Sequence, residues 1–173
     1  MVNLREIHAP ITGIVVDASA CEVDDLAPCG GVQVSVPPGD RWDDLVERAV
    51  ASDWVGIEAL SGLDGTVADV VRSNGAAHGQ AVADTVISVR TWDRSVDAQK
   101  TFALADCAFG PHTSRFAETL EDGSERFELL DVAFLFRQGD LSAPIRDVAL
   151  AGALGVDVGG RVALGAVREA VRR

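Results

Sequence analysis

The chain has 173 residues, 47% hydrophobic and 24% charged, enough to bury the core of one domain and too apolar for a disordered chain. Its 15 basic and 27 acidic residues leave a formal charge of −12, a field that repels polyphosphate and argues against nucleic-acid binding. The cysteines Cys21, Cys29 and Cys107 are odd in number and lack CxxC pairing, which speaks against a disulfide framework or a zinc site and for a reducing cytosol. The N-terminus MVNLREIHAP carries acid and no apolar h-region, and no apolar run approaches the roughly 20 residues that span a bilayer. A cytoplasmic protein with no membrane partner is expected.

In chain order, Ile11 to Val16 is a short apolar run and Val32 to Val36 alternates at period two, so both read as strands. The acidic link Glu22 to Pro28 and the Cys29-Gly30-Gly31 turn between them suggest an antiparallel meander. Asp40 is placed to cap a helix running to about Ala51, with Trp42, Leu45, Val46, Ala49 and Val50 as its apolar stripe. Asp43, Asp44 and Glu47 then read as a solvated face. Glycines punctuate Val55 to Gly79, with helical potential over Val67 to Arg72. Ala81 to Trp92 and Arg126 to Phe136 are the strongest strand signals, and Thr101 to Ala105 is a shorter one. The Asp-Gly step in Leu120 to Ser124 makes Arg126 to Phe136 the return arm of a hairpin. Pro144 to Leu154 and Val162 to Val171 read as helices that form a C-terminal segment over about 143–173 of a single domain, 1–173.

No Walker loop, dinucleotide GxGxxG, GxSxG elbow or HExxH occurs, and His8, His78 and His112 lack the spacing of metal ligands. The informative stretch is Glu58-Ala59-Leu60-Ser61-Gly62-Leu63-Asp64-Gly65-Thr66-Val67, continuing to Asn74-Gly75-Ala76-Ala77-His78-Gly79-Gln80-Ala81-Val82. It resembles, without a gap, the flavin signature of the UDP-N-acetylenolpyruvoylglucosamine reductase (MurB) family, approximately E-x-L-S-G-I-P-G-x-V-G-A-x-P-V-Q-N-V-G-A-Y-G-Q-E-V. Trp42 to Val46, Asp84 to Arg94, Cys107 to Phe116 and Ser142 to Arg146 are similar to further segments of that family. The resemblance implies an α+β fold, a mixed and mainly antiparallel sheet with flanking helices like the second FAD-binding subdomain of the MurB/vanillyl-alcohol-oxidase type. It also implies FAD and an NADPH-driven reduction in peptidoglycan precursor synthesis.

The departures from the family pattern lead to a different expectation. Its G-x-G-S-N phosphate loop and its S-x-G-S-F-F-K-N-P proton donor have no counterpart in these residues. Asp64 stands at the family's proline, Asp69 at a small position, Ser73 at its glutamine, and His112 at its active-site arginine. A carboxylate about 4 Å from a phosphate costs about 4 kcal/mol at an effective dielectric near 20. On that ground flavin is expected to be lost, so that no cofactor is used. The protein is then expected to be a cofactor-free cyclase or isomerase of natural-product biosynthesis. Its catalytic residues would be His78 and His112, and Ser61, Asp64, Asp69, Arg72, Ser73 and Asn74 would bind a small-molecule substrate, with no metal. The alternatives are a reductase-like protein that keeps FAD, and a non-catalytic binding remnant. Surfaces left bare by missing neighbours point to a homodimer.

Overall fold

The computed structural model of the chain describes residues 10–19 and 31–173. His8, Cys21, Cys29 and the acidic link lie outside them. Alternation places Val32, Val34 and Val36 of strand β2 (Val32–Val36) on one buried face, with Gln33 exposed between them. Strand β1 (Val15–Asp17) pairs antiparallel with it, which shortens the expected Ile11 to Val16 strand. The polypeptide then forms helix α1 (Trp42–Ala51), the short strand β3 (Trp54–Val55) and helix α2 (Val67–Arg72). The ribbon β4 (Ala76–Ala77) and β5 (Gln80–Ala81) follows, then strands β6 (Val86–Asp93), β7 (Ala98–Ala103) and β8 (Phe127–Gln138). Helices α3 (Val148–Leu154) and α4 (Leu164–Val171) end the chain.

The main sheet runs β1-β2-β8-β6-β7, entirely antiparallel, with β3 joined to the end of β8. This is the expected mainly antiparallel α+β architecture. A register shift between β6 and β8 leaves Leu130 outside the ladder, and its carbonyl accepts the N–H of Ile11. Beneath the sheet, Trp42, Phe134, Phe136 and Trp54 form a continuous aromatic row with ring centroids 6.2, 5.5 and 5.7 Å apart. Phe102, Phe116 and Phe127 pack edge to face at its other end.

Three expectations fail for local reasons. The strand anticipated from Ala81 begins at Val86, because the Asp84 carboxylate accepts the Ala81 N–H and turns residues 82–84 into a 3₁₀ turn. The Asp-Gly turn is real, with Gly123 at φ +82° and Thr119 bridged to Glu125. The hairpin it closes ends at Arg126, whose N–H donates to the Glu118 carbonyl, and β8 beyond it joins β2 and β6 instead. The residue before α1 is Arg41 rather than Asp40, and no side chain caps that helix. Asp40 accepts the Val67 N–H through its backbone carbonyl.

Candidate functional site

The family-like turn lies where two helix starts are stitched together. Trp42 donates its N–H to the Gly65 carbonyl, Val67 to Asp40 and Ala68 to Pro38. The indole of Trp42 donates to the Leu60 carbonyl at 2.9 Å. The turn from Ser61 to Thr66 is thereby held at both ends by core residues, while Gly62, Asp64 and Gly65 are exposed. Gly62 has φ +79° with no atom within 4 Å of where a Cβ would stand, so its backbone is open to close approach.

Beside this turn is a cleft of about 510 Å³, walled by Pro10 to Thr12, Pro37 to Asp40, Thr66, Ala68, Arg72, Glu128 and Leu129. Glu128 is ion-paired to Arg94 at 3.2 Å. The Arg72 guanidinium reaches Glu125 at 2.8 Å and the Phe127 carbonyl at 3.4 Å through Nη2. Its Nε is buried and has no acceptor among the described residues. A buried donor without an acceptor is costly; what Arg72 turns to the cleft is the rest of a side chain that is 20% exposed.

Neither of the two carboxylates expected to obstruct FAD, Asp64 and Asp69, lines the cleft. Asp69 does not project its charge into the cleft: its Oδ2 accepts both the N–H and the hydroxyl of Thr66 at 2.8 Å, and the Thr66 hydroxyl accepts the Asp69 N–H. This reciprocal cap closes the start of α2. These hydrogen bonds hold the Asp69 carboxyl below the usual range. A Cβ on Gly65 would lie 3.0 Å from that carboxylate, which is why the position takes no side chain. Asp64 is exposed and does not line the cleft. The part-exposed Arg72 cation on the cleft wall, and a lining that includes neither Asp64 nor Asp69, fit a group rich in phosphate oxygens, such as a flavin nucleotide.

The other anticipated residues have mainly internal partners. Ser61 is buried and donates to the Glu58 carbonyl. Ser73 donates to the Asp69 and Val70 carbonyls at the end of α2. Asn74, at φ +45°, donates to the Gly110 carbonyl and accepts the Ala83 N–H, holding the tight turn that carries His112. His112 is exposed at φ +54°. His78 sits apart, in the β4–β5 turn, 3.5 Å from Asp147. The two histidines stand in separate turns, and neither lines the cleft.

Two residues that sequence reasoning missed hold the site. Glu58 is fully buried and accepts from Gly56 and Ala143 N–H at 2.7 Å and from Gln80 Nε2 at 3.0 Å. It pins the C-terminal segment to both halves of the motif. Asp43, expected on a solvated face, is gripped by the Arg168 fork at 2.7 and 3.0 Å and accepts the Gly62 N–H at 2.8 Å. The acid at the start of the E-x-L-S-G run was the only sequence signal for Glu58. For Asp43 none existed, because its partner lies 125 residues away.

Sheet order and flanking helices define an α+β domain with a mainly antiparallel sheet. No protein-family model matches the chain. It is 41% identical over 147 residues to UDP-N-acetylenolpyruvoylglucosamine reductase of Cutibacterium acnes, covering 85% of this chain and 38% of that protein. It is 39% identical over 155 residues to the same-named protein of Thermobifida fusca, covering 90% of this chain and 41% of that one. The crystal structure of MurB from Thermus caldophilus superposes with a TM-score of 0.51 at 22% identity, over 61% of this chain and 36% of that one, which shows the shared fold. The chain is a MurB-like homologue that spans about two fifths of the length of the curated relatives it matches. These relatives overturn the expectation of a cofactor-free cyclase or isomerase: similarity over 85% of the chain leads to proteins named as reductases. The charge argument behind that expectation is weakened as well, since the Asp69 carboxylate, though ionised, faces the cap of its own helix and does not line the cleft.

Proposed function

We propose that this chain is the FAD-holding part of a reductase of the UDP-N-acetylenolpyruvoylglucosamine type. The observation that carries the reading is the 41% identity over 147 residues to a protein named as such a reductase, together with an Arg72-lined cleft beside the family's turn. Bound FAD supplies hydride transfer, which ordinary side chains do not perform. The chain's own part is to bind and orient. Arg72 presents a part-exposed positive charge to the cofactor's phosphates, the Gly62 backbone gives a close approach, and the aromatic row beneath holds the turn against deformation. The reading assigns to these residues the holding of the cofactor.

Titration of the 173-residue chain with FAD tests this, followed by flavin fluorescence and by absorbance between roughly 350 and 500 nm, where oxidised flavins absorb. Saturable uptake of one FAD per chain is expected. Arg72→Ala should weaken it roughly 10- to 100-fold, the loss of one hydrogen bond from a charged donor. Absence of uptake at about 1 mM FAD, an affinity below any useful cofactor site, overturns the reading.

A further inference from the structure

We infer that Arg168 is a positioning residue for the flavin site, acting through Asp43 on the Gly62 amide of the Ser61–Thr66 turn. This rests on the FAD-holding reading above. Arg168 lies on α4, is 9% exposed, and is bound to Asp43 of α1 through both of its terminal nitrogens. Glu47 at 3.9 Å from Arg168 and Arg172 at 3.7 Å from Asp43 complete the cluster. The same Asp43 Oδ1 that takes one arm of the fork accepts the Gly62 N–H.

A largely buried ion pair is a poor device for stability alone, because desolvation offsets much of the attraction and an apolar residue would pack as well. Two properties of this pair suit a different purpose. Gly62 has no side chain to fix its peptide and sits at φ +79°, so a charged acceptor sets the direction of its N–H. The carboxylate that does so lies under the turn assigned to an anionic cofactor, and unpaired it would repel phosphate oxygens. Arg168 holds that carboxylate in place and cancels its charge. The C-terminal helix thus reaches the turn through Asp43.

Three variants separate direction from charge: Arg168→Met, Asp43→Ala and the double change Arg168→Met/Asp43→Asn. The FAD dissociation constant is measured well below each variant's unfolding temperature, and Gly62 amide hydrogen exchange is measured without cofactor. Arg168→Met should raise the dissociation constant at least about tenfold, because it removes the fork that holds the carboxylate and leaves only the more distant Arg172 to offset its charge. The double variant should return to within about threefold of wild type, since an asparagine carbonyl still accepts the Gly62 N–H without the charge. Asp43→Ala should speed Gly62 exchange by about tenfold or more. A dissociation constant within about twofold of wild type in Arg168→Met, no recovery in the double variant, or unchanged Gly62 exchange in Asp43→Ala each overturn the inference. A wild-type chain that takes up no FAD overturns the flavin-holding reading instead, and Gly62 exchange still decides whether the relay exists.

Discussion

The sheet and the C-terminal segment are held by different forces. Under the sheet, Trp42, Leu60, Phe134 and Phe136 are fully buried in one apolar cluster, and its aromatic row is continuous from α1 to β3. The C-terminal segment has a much smaller core of Ala59, Ile145, Leu150, Ala151 and Val167. Polar ties supply the rest: the Ala143 N–H on Glu58, the Ser142 N–H on the Val162 carbonyl, and Arg168 on Asp43. Area makes the first region strong and insensitive to salt, whereas the second depends on charge and geometry. The turn that carries the proposed function lies on the seam, rooted in the apolar region by Trp42 and steered from the polar one by Arg168.

The sharpest break in this contrast is Phe134→Ala. Phe134 is fully buried and flanked by Trp42 and Phe136, so truncation should cost about 3–5 kcal/mol of global stability in denaturant titration. Leu150→Ala, in the smaller cluster, should cost about 2–3 kcal/mol and act locally. Hydrogen exchange should quicken over 143–173 while β6 and β8 keep their protection. Equal loosening of both regions by Leu150→Ala would show that they unfold as one unit and remove the contrast.

The sequence made the apolar region legible because its rules are periodic. The alternation of Val32 to Val36 and the helical stripe of Trp42, Leu45, Val46 and Ala49 read directly as buried faces. The turn was legible through family resemblance and not through physics, since a glycine-rich loop alone is only a loop. What stayed hidden is the pairing of charges. Asp43 and Arg168 each sit in an amphipathic helix whose exposed residues look alike in one dimension, and only the packing of α4 against α1 tells the partnered acid from Asp44 beside it. Asp69 misled for the same reason: as a letter it is an anion near a phosphate site, and in the fold it caps a helix.

The smallest effect separates two ion pairs of similar geometry. Arg126 grips Asp93 at 3.0 and 2.8 Å and Glu118 at 2.8 Å, in the sheet region. Asp93 is 2% exposed, and the Arg126 guanidinium, aided by Ser95, holds its carboxyl far below the usual carboxylate range. The Asp43 carboxyl is lowered too, chiefly by Arg168. A depressed native pKa means that the unfolded chain binds the proton more readily, so stability is full above the unfolded carboxylate value near 4 and drains as pH falls below it. Asp93→Asn keeps the side-chain shape, loses the charge and puts an NH2 donor where one oxygen accepts from Arg126. It should cost about 1–2 kcal/mol at pH 7 and flatten the fall in stability between about pH 4 and pH 2. Asp43→Asn should flatten the same range less, since Asp43 is more exposed than Asp93, and its loss should appear as exchange in 143–173, with β6 and β7 unchanged. Identical acid profiles for Asp93→Asn and wild type, followed by circular dichroism, would mean that the sheet-side pair contributes nothing to acid sensitivity, and that the polar seam alone sets it.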